Sequence, residues 1–197
     1  MRAYSDLINH AFAYAAIHHD GDTRKGTRVP YITHPANVAL ILARYDRDDE
    51  TIVAAILHDV VEDCEYPGHT RATHSAQIEA KFGEIVLDTV LAVTHVSHDA
   101  TGRQLTSREK KDYYLEHLGT ASDRARWVSA ADKLHNARAI LSDLSRSDFP
   151  ETFFDRFNVG REGTIRWYRE VYERLRQVGF DGAIMGELAA AVEDIER

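Results

Sequence analysis

One short run of the sequence concentrates ionisable side chains among apolar neighbours. The run AAILHDVVEDC contains His58, Asp59, Glu62 and Asp63, and its other positions are almost all apolar. At about 3.6 residues per turn, an α-helix places His58 on the same face as Glu62, and Asp59 on the same face as Asp63. Burying carboxylates without a cation is costly, so the run predicts ion-pair partners, raised pKa values or a bound metal ion. A helix end with solvated charges is the alternative for this run alone.

Two further segments carry donor atoms of the same kinds. The run VPYITHPANVA places His34 at the start of a predicted helix, and VSAADKLHNARAIL places Asp132 in an apolar helical stretch with Asn136 one turn later. A histidine before a proline is commonly a turn residue, and a lone aspartate in a helix is commonly solvated. Together with His58 and Asp59, however, they supply two nitrogen and two oxygen donors. Such a set leaves positions for water and substrate, which predicts a catalytic metal site.

Three cations precede His34 in the stretch 20–30, which its glycine and proline residues mark as a loop. They are Arg24, Lys25 and Arg28. Two ligand carboxylates balance a divalent ion, so a small anionic ligand bound there needs further positive charge from arginine or lysine. A guanidinium plane can also stack on an aromatic ring. A solvated basic turn is the alternative interpretation of this loop.

These segments carry a resemblance to a known family. His34, the His58-Asp59 pair and Asp132 resemble the H…HD…D signature of the HD-domain metal-dependent phosphohydrolases, an all-α family with a divalent metal in its core. The runs RKGTRVPYITHP, ILHDVVEDC and ADKLHN resemble, more closely, the hydrolase domain of the RelA/SpoT family and its stand-alone small alarmone hydrolases. This resemblance covers residues 5 to 145.

The resemblance implies an activity and a cofactor. Proteins of that family remove the 3′-pyrophosphate from guanosine tetra- or pentaphosphate, written (p)ppGpp, and use manganese. For this chain it implies one Mn²⁺ per chain, with other divalent ions as alternatives. The implied metal ligands are His34, His58, Asp59 and Asp132. Glu62 and Asp63 match the acidic pair that positions or activates the attacking water.

The resemblance also implies contacts with a small phosphorylated nucleotide. Arg24 and Lys25 match cations that contact base and phosphate, and Asn136 matches a residue near the ribose and phosphate. Further candidates for this pocket are Arg138 and, from the run RFNVGREGTIRWYREVYERL, Arg161 and Tyr168. Tyr168 alternatively belongs to the core stripe of its helix. The loop 95–107 departs from the family pattern, because it has histidines and an arginine where lysines often contact the 5′-phosphates.

Other functions remain open at this stage. The same chemistry could act on (p)ppApp, NADPH or a nucleotide monophosphate, because details of the pocket select the base. A metal-containing nucleotide sensor without turnover is a different class, against which the presence of both Glu62 and Asp63 argues. With 24 Lys and Arg against 32 Asp and Glu, the net charge of −8 disfavours a nucleic-acid partner and an anionic membrane surface.

Apolar periodicity predicts one all-α domain over residues 1–197, with roughly eight to ten helices and no strand-like alternation. The C-terminal helices, 164–195, are expected to pack on the motif-bearing core. Asp48 to Asp63 is predicted as one continuous, buried helix. His19 and His74 lack motif context and are predicted to be surface or turn residues.

Cysteine content and chain length limit the cellular compartment and the number of domains that can be expected. The single cysteine, Cys64, excludes an internal disulfide and a zinc ribbon, which fits the cytoplasm. Neither a signal peptide nor a membrane span is expected from the N-terminal pattern. A length of 197 residues leaves no room for a synthetase domain, so a hydrolase standing alone is expected. The sequence leaves the oligomeric state open.

Overall fold

Helices make up almost all regular structure in the computed structural model, which describes residues 4–63, 70–148 and 150–197, without the side chains of residues 63, 150 and 151. Within these ranges the β structure is limited to two isolated bridges, Thr23 with Pro30 and His98 with Gln104. The predicted all-α fold is therefore confirmed. Cys64 lies outside the described residues.

The helices follow the predicted order along the chain. They are α1 (Asp6–His18), α2 (Thr33–Arg44), α3 (Asp49–Leu57), α4 (Val60–Asp63), α5 (Arg71–Phe82), α6 (Glu84–Val93), α7 (Ser107–Thr120), α8 (Asp123–Ser145), α9 (Gly160–Gln177) and α10 (Ile184–Glu196), with a 3₁₀ helix at Pro150–Arg156 between α8 and α9.

Helix α3 lies at the centre of the molecule. It begins at Asp48, whose side chain accepts a hydrogen bond from the Thr51 backbone N–H at 3.0 Å and so satisfies a terminal donor. All residues from Thr51 to Leu57 are buried, because α1, α2, α6 and α8 pack around the helix. The His58-Asp59 pair at its end is thereby placed inside the protein.

The prediction of one continuous helix from Asp48 to Asp63 is wrong, because the helix is interrupted at His58 and Asp59. The His58 ring supplies the reason: its Nδ1 donates to the Ala55 carbonyl at 2.7 Å, and such side-chain bonds compete with the backbone hydrogen bonds of a helix. The chain resumes as the short helix α4 through a turn in which the Glu62 N–H donates to the Asp59 carbonyl at 3.1 Å. Contrary to what the spacing predicts, His58 and Glu62 therefore do not lie on one face of a regular α-helix.

Helix α8 brings the ADKLHN run to the centre from the opposite side. Its first turn is capped by Ser122, whose side chain accepts a hydrogen bond from the Ala125 N–H at 3.2 Å. The helix packs against α2, α3, α6, α9 and α10. Asp132 and Lys133 are buried on it, with 6% and 7% of their surface exposed. Buried charges of this kind need partners, and the site provides them.

The prediction of a surface or turn position is wrong for His74, which lies within α5 and is 0% exposed. His19 does lie in a turn directly after α1, as predicted, but only 3% of its surface is exposed. The His19 ring stacks on Tyr31 with the centroids 4.7 Å apart, and the His74 ring meets His18 edge-on at 4.7 Å. These contacts join residues of different helices or loops, so a pattern along the chain could not reveal them.

Candidate metal centre and adjoining cleft

The His58 imidazole presents its Nε2 atom to the interior. Its Nδ1 lies 2.7 Å from the Ala55 carbonyl oxygen, an acceptor, so Nδ1 carries a proton and donates it. Nε2 then faces the remaining donors of the site. A backbone carbonyl that fixes the ring and its tautomer in this way is the usual support of a metal-ligating histidine.

His34 is oriented by a second histidine. It is the second residue of α2, and its Nδ1 lies 2.8 Å from the Nδ1 of His135. Burial, together with the neighbouring His34 and Arg24, lowers the pKa of His135 to about 4. His135 is therefore neutral near pH 7, and its Nδ1 can accept a hydrogen bond from the Nδ1–H of His34. His34 then presents Nε2 to the interior, as His58 does.

Four predicted ligands meet at this point. The Nε2 atoms of His34 and His58 are 3.2 Å apart, and an Asp59 oxygen lies 3.4 Å from the first and 3.1 Å from the second. The Oδ1 atom of Asp132 adds a fourth donor, 3.1 Å from His34 Nε2 and 3.8 Å from His58 Nε2. Among the described residues, His34, His58 and Asp59 form the group of metal-binding type, with ligand atoms within 4.8 Å of one another.

These distances fit a divalent metal ion. An ion with bonds of about 2.0 to 2.1 Å in octahedral geometry separates neighbouring ligands by roughly 3 Å, close to the separations between the donors. Two imidazole nitrogens and two carboxylate oxygens crowded together repel one another unless a cation or protons lie among them. The donor set therefore fits an ion held by mixed nitrogen and oxygen ligands.

The pKa shifts of the predicted ligands reflect the same excess of negative charge. Burial opposes a charged imidazole, but Asp59 and Asp132 outweigh it and raise the pKa of His58 to about 9. Burial also opposes a charged Asp132, but Lys133 and the two histidines hold its pKa well below the usual range. For His34, burial dominates and lowers the pKa. The carboxylates thus stay ionised and attract positive charge into the site.

A second layer of side chains fixes both carboxylates. The Tyr31 hydroxyl donates to Asp59 Oδ2 at 2.7 Å. The Asn136 amide donates to Asp132 Oδ1 at 2.5 Å, and Lys133 Nζ donates to Asp132 Oδ2. Because such outer partners orient the ligands of a metal and tune their basicity, they belong to the site as much as the ligands do.

The acidic pair beyond His58 and Asp59 lies on α4. Glu62 is half-buried, and its Oε2 accepts a hydrogen bond from the His95 backbone N–H at 2.8 Å. This bond sets the direction of the carboxylate. Asp63 ends α4, but its side chain lies outside the described residues.

A cleft of about 670 Å³ opens beside the ligands and is large enough for a nucleotide-sized molecule. Tyr31, His135 and Asn136 line the cleft and connect it to the predicted ligands. Tyr31 contacts Asp59, His135 contacts His34, and Asn136 contacts Asp132. The cleft is also lined by five of the six predicted nucleotide-binding residues, namely Arg24, Lys25, Asn136, Arg138 and Tyr168.

The predicted binding residues differ in how they are held. The Arg24 guanidinium donates to the Asn136 side chain and lies 5.5 Å from the centroid of the Tyr31 ring, so it is fixed close to the ligands. Lys25 is exposed and donates to Asn158 at 3.3 Å. Tyr168 is buried, and burial raises its pKa above the usual range.

Two arginines predicted to bind the nucleotide instead have their guanidinium groups bound to residues of α10. The Arg138 guanidinium pairs with Asp194 of α10 at 3.0 Å, although the residue borders the cleft. Arg161 donates to the Glu196 carbonyl at 3.2 Å and does not line the cleft. The geometry therefore favours Arg24 over both as a contact for substrate near the ligands.

Sequence reasoning missed Arg146 and Arg156, which also line the cleft. Arg156 pairs with Asp143 at 3.0 Å, and its guanidinium lies 4.0 Å from the centroid of the Phe153 ring. Gly26 passes close to it: its φ is +73°, and a Cβ there would lie 2.9 Å from Arg156 Cδ. Glycine is thus required after Lys25 both by conformation and by space.

His135, Tyr31 and Lys133 were also not assigned roles from the sequence, although each lies within a motif run. The signal available in the sequence was that Tyr31 lies in the run that contains His34, and that Lys133 and His135 lie in the run that contains Asp132. Searched across the described residues, no helix has the length and apolar character needed to cross a membrane.

Comparison with protein families gives one clear match. A sequence model of the HD domain aligns with residues 11–157, well over half of the chain. The matched segment contains His34, His58, Asp59 and Asp132, the four residues whose donor atoms converge.

Curated relatives carry related names. A protein from Aquifex aeolicus named guanosine-3′,5′-bis(diphosphate) 3′-pyrophosphohydrolase is 34% identical over 138 residues, which cover 70% of this chain and 18% of that protein. The bifunctional (p)ppGpp synthase/hydrolase SpoT of Escherichia coli is 36% identical over 141 residues, again with 18% of that protein covered. This chain thus spans about a fifth of the length of these bacterial relatives.

One relative is matched along nearly its whole length. The Xenopus tropicalis guanosine-3′,5′-bis(diphosphate) 3′-pyrophosphohydrolase MESH1 is 34% identical over 191 residues, covering 95% of this chain and 94% of that protein. A solved structure described as a metazoan orthologue of SpoT that hydrolyses ppGpp superposes with a TM-score of 0.72 at 27% identity, over 97% of this chain and 96% of that chain. A Listeria monocytogenes structure superposes with a TM-score of 0.67 at 28% identity, over 82% of this chain and 97% of that chain.

Proposed function

This chain belongs to the HD-domain family, and on that premise we propose that it hydrolyses the 3′-pyrophosphate of (p)ppGpp with a divalent metal ion, giving GDP or GTP and pyrophosphate. One observation carries the proposal: buried donor atoms of His34, His58, Asp59 and Asp132 converge at the end of a cationic cleft of about 670 Å³. The names of the relatives that share this domain support the choice of substrate.

The proposed ion is one Mn²⁺ per chain, held by His34, His58, Asp59 and Asp132. The two carboxylate oxygens suit manganese and the two imidazole nitrogens suit a transition metal, and the choice of manganese follows the family resemblance. When bound, such an ion polarises a phosphoryl oxygen and lowers the pKa of a coordinated water molecule. The rest of the proposed mechanism concerns what the side chains of this chain do.

Glu62 is proposed to accept the proton of the attacking water. Its carboxylate lies one short turn beyond the ligands His58 and Asp59, and the His95 N–H fixes its orientation. A carboxylate within hydrogen-bond reach of a water can serve as its general base. Asp63, next in the chain, is proposed to support this step.

The nucleotide is proposed to occupy the cleft with its 3′-pyrophosphate at the ligands. Arg24 and Asn136 lie closest to the ligands and are proposed to contact the ribose and phosphates, while Lys25 and Tyr168 contact more distant parts of the molecule. The guanidinium plane of Arg24 can also stack on the base. Arg138, held by Asp194, is proposed to add positive charge at the border of the cleft.

The proposed reaction breaks the bond between the ribose 3′-oxygen and its phosphorus. The water oxygen forms a new bond to that phosphorus, and one water proton passes to Glu62. The 3′-oxygen leaves and becomes a hydroxyl by taking up a proton from solvent. Pyrophosphate is therefore released intact. Nucleotides without a 3′-phosphate, such as ATP and GTP, offer no bond at this position.

Product analysis by ion exchange tests the proposal. With Mn²⁺ present, ppGpp should give GDP and pyrophosphate in equal amounts, whereas ATP and GTP should remain unchanged. ppApp and NADPH belong in the same panel, because faster turnover of either would assign the same chemistry to another nucleotide. Orthophosphate as the sole product, or equal cleavage of ATP, would instead indicate a general nucleotide phosphatase. Tight binding of ppGpp with no product at all would indicate a sensor.

A further inference from the structure

His95 connects Glu62 to a residue far from the ligands. It is the second residue after α6, and its backbone N–H donates to Glu62 Oε2 at 2.8 Å. Its backbone carbonyl accepts a hydrogen bond from Arg71 Nη1 at 3.0 Å. Both backbone polar groups of His95 are therefore engaged, one by the carboxylate of α4 and the other by the first residue of α5.

The His95 ring is anchored separately from its backbone. It stacks on the buried Tyr114 ring, with the centroids 4.6 Å apart and the planes at 21°, and lies 5.7 Å from Trp167. Burial and the nearby Lys133 lower the pKa of His95 to about 4, so the ring is neutral near pH 7. Ring stacking fixes the side chain of His95. The orientation of its backbone N–H and C=O groups depends on their own hydrogen bonds.

Glu62 needs such external support because of its own helix. Helix α4 has four residues and follows directly on the break at His58 and Asp59, and a helix this short is not stable by itself. The hydrogen bond from the His95 N–H is therefore one contact that holds the Glu62 carboxylate. A contact that fixes the His95 backbone helps to hold Glu62 through that bond.

We propose that Arg71 is a positioning residue for the hydrolytic reaction, which acts on Glu62 through the backbone of His95. The inference rests on the proposed function, in which Glu62 accepts the proton of the attacking water. A hydrogen bond from a guanidinium is stronger than one between neutral groups, which makes Arg71 an effective clamp on the His95 carbonyl. Arg71 itself is not one of the residues that line the nucleotide cleft.

The kinetic test uses Arg71→Met, Arg71→Lys and a cycle with Glu62→Gln. Arg71→Met should lower kcat about 10-fold, as expected for a small misplacement of a catalytic group, while KM and the dissociation constant for Mn²⁺ change less than about twofold. Arg71→Lys should recover part of kcat, because an ammonium can still donate to the carbonyl. In the Glu62→Gln background, Arg71→Met should cause no further loss, since both changes act on one group.

Arg126→Met is the matched control. The Arg126 guanidinium also donates to a backbone carbonyl, that of Gly119 near the end of α7 at 3.0 Å, so its loss should leave kcat unchanged. Equal losses from Arg71→Met and Arg126→Met would point to general loosening of the fold and overturn the inference. Loss of Mn²⁺ binding, or additive losses with Glu62→Gln, would overturn it as well. Thermal melting of each variant identifies any that does not fold, and Arg71→Lys then serves in its place.

Amide hydrogen exchange tests the inference independently of turnover. The His95 N–H is held by Glu62, so Arg71→Met should speed its exchange about 10-fold if the clamp is lost, while the Thr51 N–H in α3 remains unaffected. Unchanged exchange at His95 would overturn the inference. A wild-type chain that does not hydrolyse ppGpp would overturn the proposed function instead, and the exchange result would still decide whether Arg71 holds Glu62 in place.

Discussion

The Nδ1 atoms of His34 and His135 lie 2.8 Å apart, and this contact determines which nitrogen His34 offers to the centre of the site. Because burial keeps His135 neutral, its Nδ1 can accept a hydrogen bond from the Nδ1–H of His34, and in that tautomer the Nε2 of His34 has the lone pair that a metal ligand needs. A residue outside the ligand set thus prepares one of the ligands.

His135→Ala should therefore weaken metal binding. We expect the dissociation constant for Mn²⁺, measured by isothermal titration calorimetry, to rise about 10- to 100-fold, the usual cost of losing an outer partner of a ligand. His135→Gln keeps a side-chain acceptor and should lose less. Exposed His98 is the control, and His98→Ala should bind as the parent does. Parental affinity in His135→Ala would show that His34 needs no such partner.

Removing a ligand should abolish the site. His58→Ala and Asp132→Ala should each lose measurable binding of one Mn²⁺ per chain, because only three donors remain, and chelation of the parent should stop product formation. Asp112→Ala removes an exposed carboxylate that pairs with Arg108 and should leave binding unchanged. If the two ligand variants bind Mn²⁺ as tightly as the parent, the metal lies elsewhere.

Glu62→Gln should separate binding from turnover. The amide oxygen of glutamine can still accept the His95 N–H, so the side chain keeps its place but cannot take up a proton near pH 7. We expect binding of Mn²⁺ and ppGpp to persist and kcat to fall by about 10²- to 10⁴-fold. Exposed Glu173 supplies the control Glu173→Gln. Loss of metal together with activity would make Glu62 a ligand, and unchanged kcat would remove it from the mechanism.

Arg24→Ala should weaken use of the nucleotide more than binding of the metal. The variant loses a charged hydrogen-bond donor and a stacking plane in the cleft, so KM for ppGpp should rise about 10- to 100-fold. The dissociation constant for Mn²⁺ should stay within about twofold, because Arg24 contacts the outer residues Asn136 and Tyr31 and is not itself a ligand. Arg44→Ala breaks an exposed pair with Glu187 and should alter neither quantity. A change in Mn²⁺ affinity alone would remove Arg24 from the nucleotide pocket.

The order of the helices could be predicted from the sequence because apolar periodicity reports the face that each helix buries. Residue types, spacing and a family resemblance likewise named four ligands that the structure brings together. The break after Leu57 could not be predicted, since it depends on a bond between the His58 ring and the Ala55 carbonyl. A ring can make that bond in one rotamer and not in another, and periodicity carries no information on rotamers.

The cleft was harder to predict than the ligands. Arg156 reaches it from the 3₁₀ helix and packs against Gly26, a residue far away in the sequence. The burial of His74 depends in the same way on rings of α1. Contacts between distant segments decide such positions, and one sequence shows no pattern that pairs them.

The interruption between α3 and α4 gives the centre of the molecule two independent supports. His58 and Asp59 end a helix that is buried on every side. Glu62, in contrast, lies on the short helix α4 and is held by His95, in the loop that follows α6. Substitutions confined to α4 would therefore silence the proposed reaction and leave the proposed metal and nucleotide sites in place. The same scaffold would then bind a nucleotide without hydrolysing it.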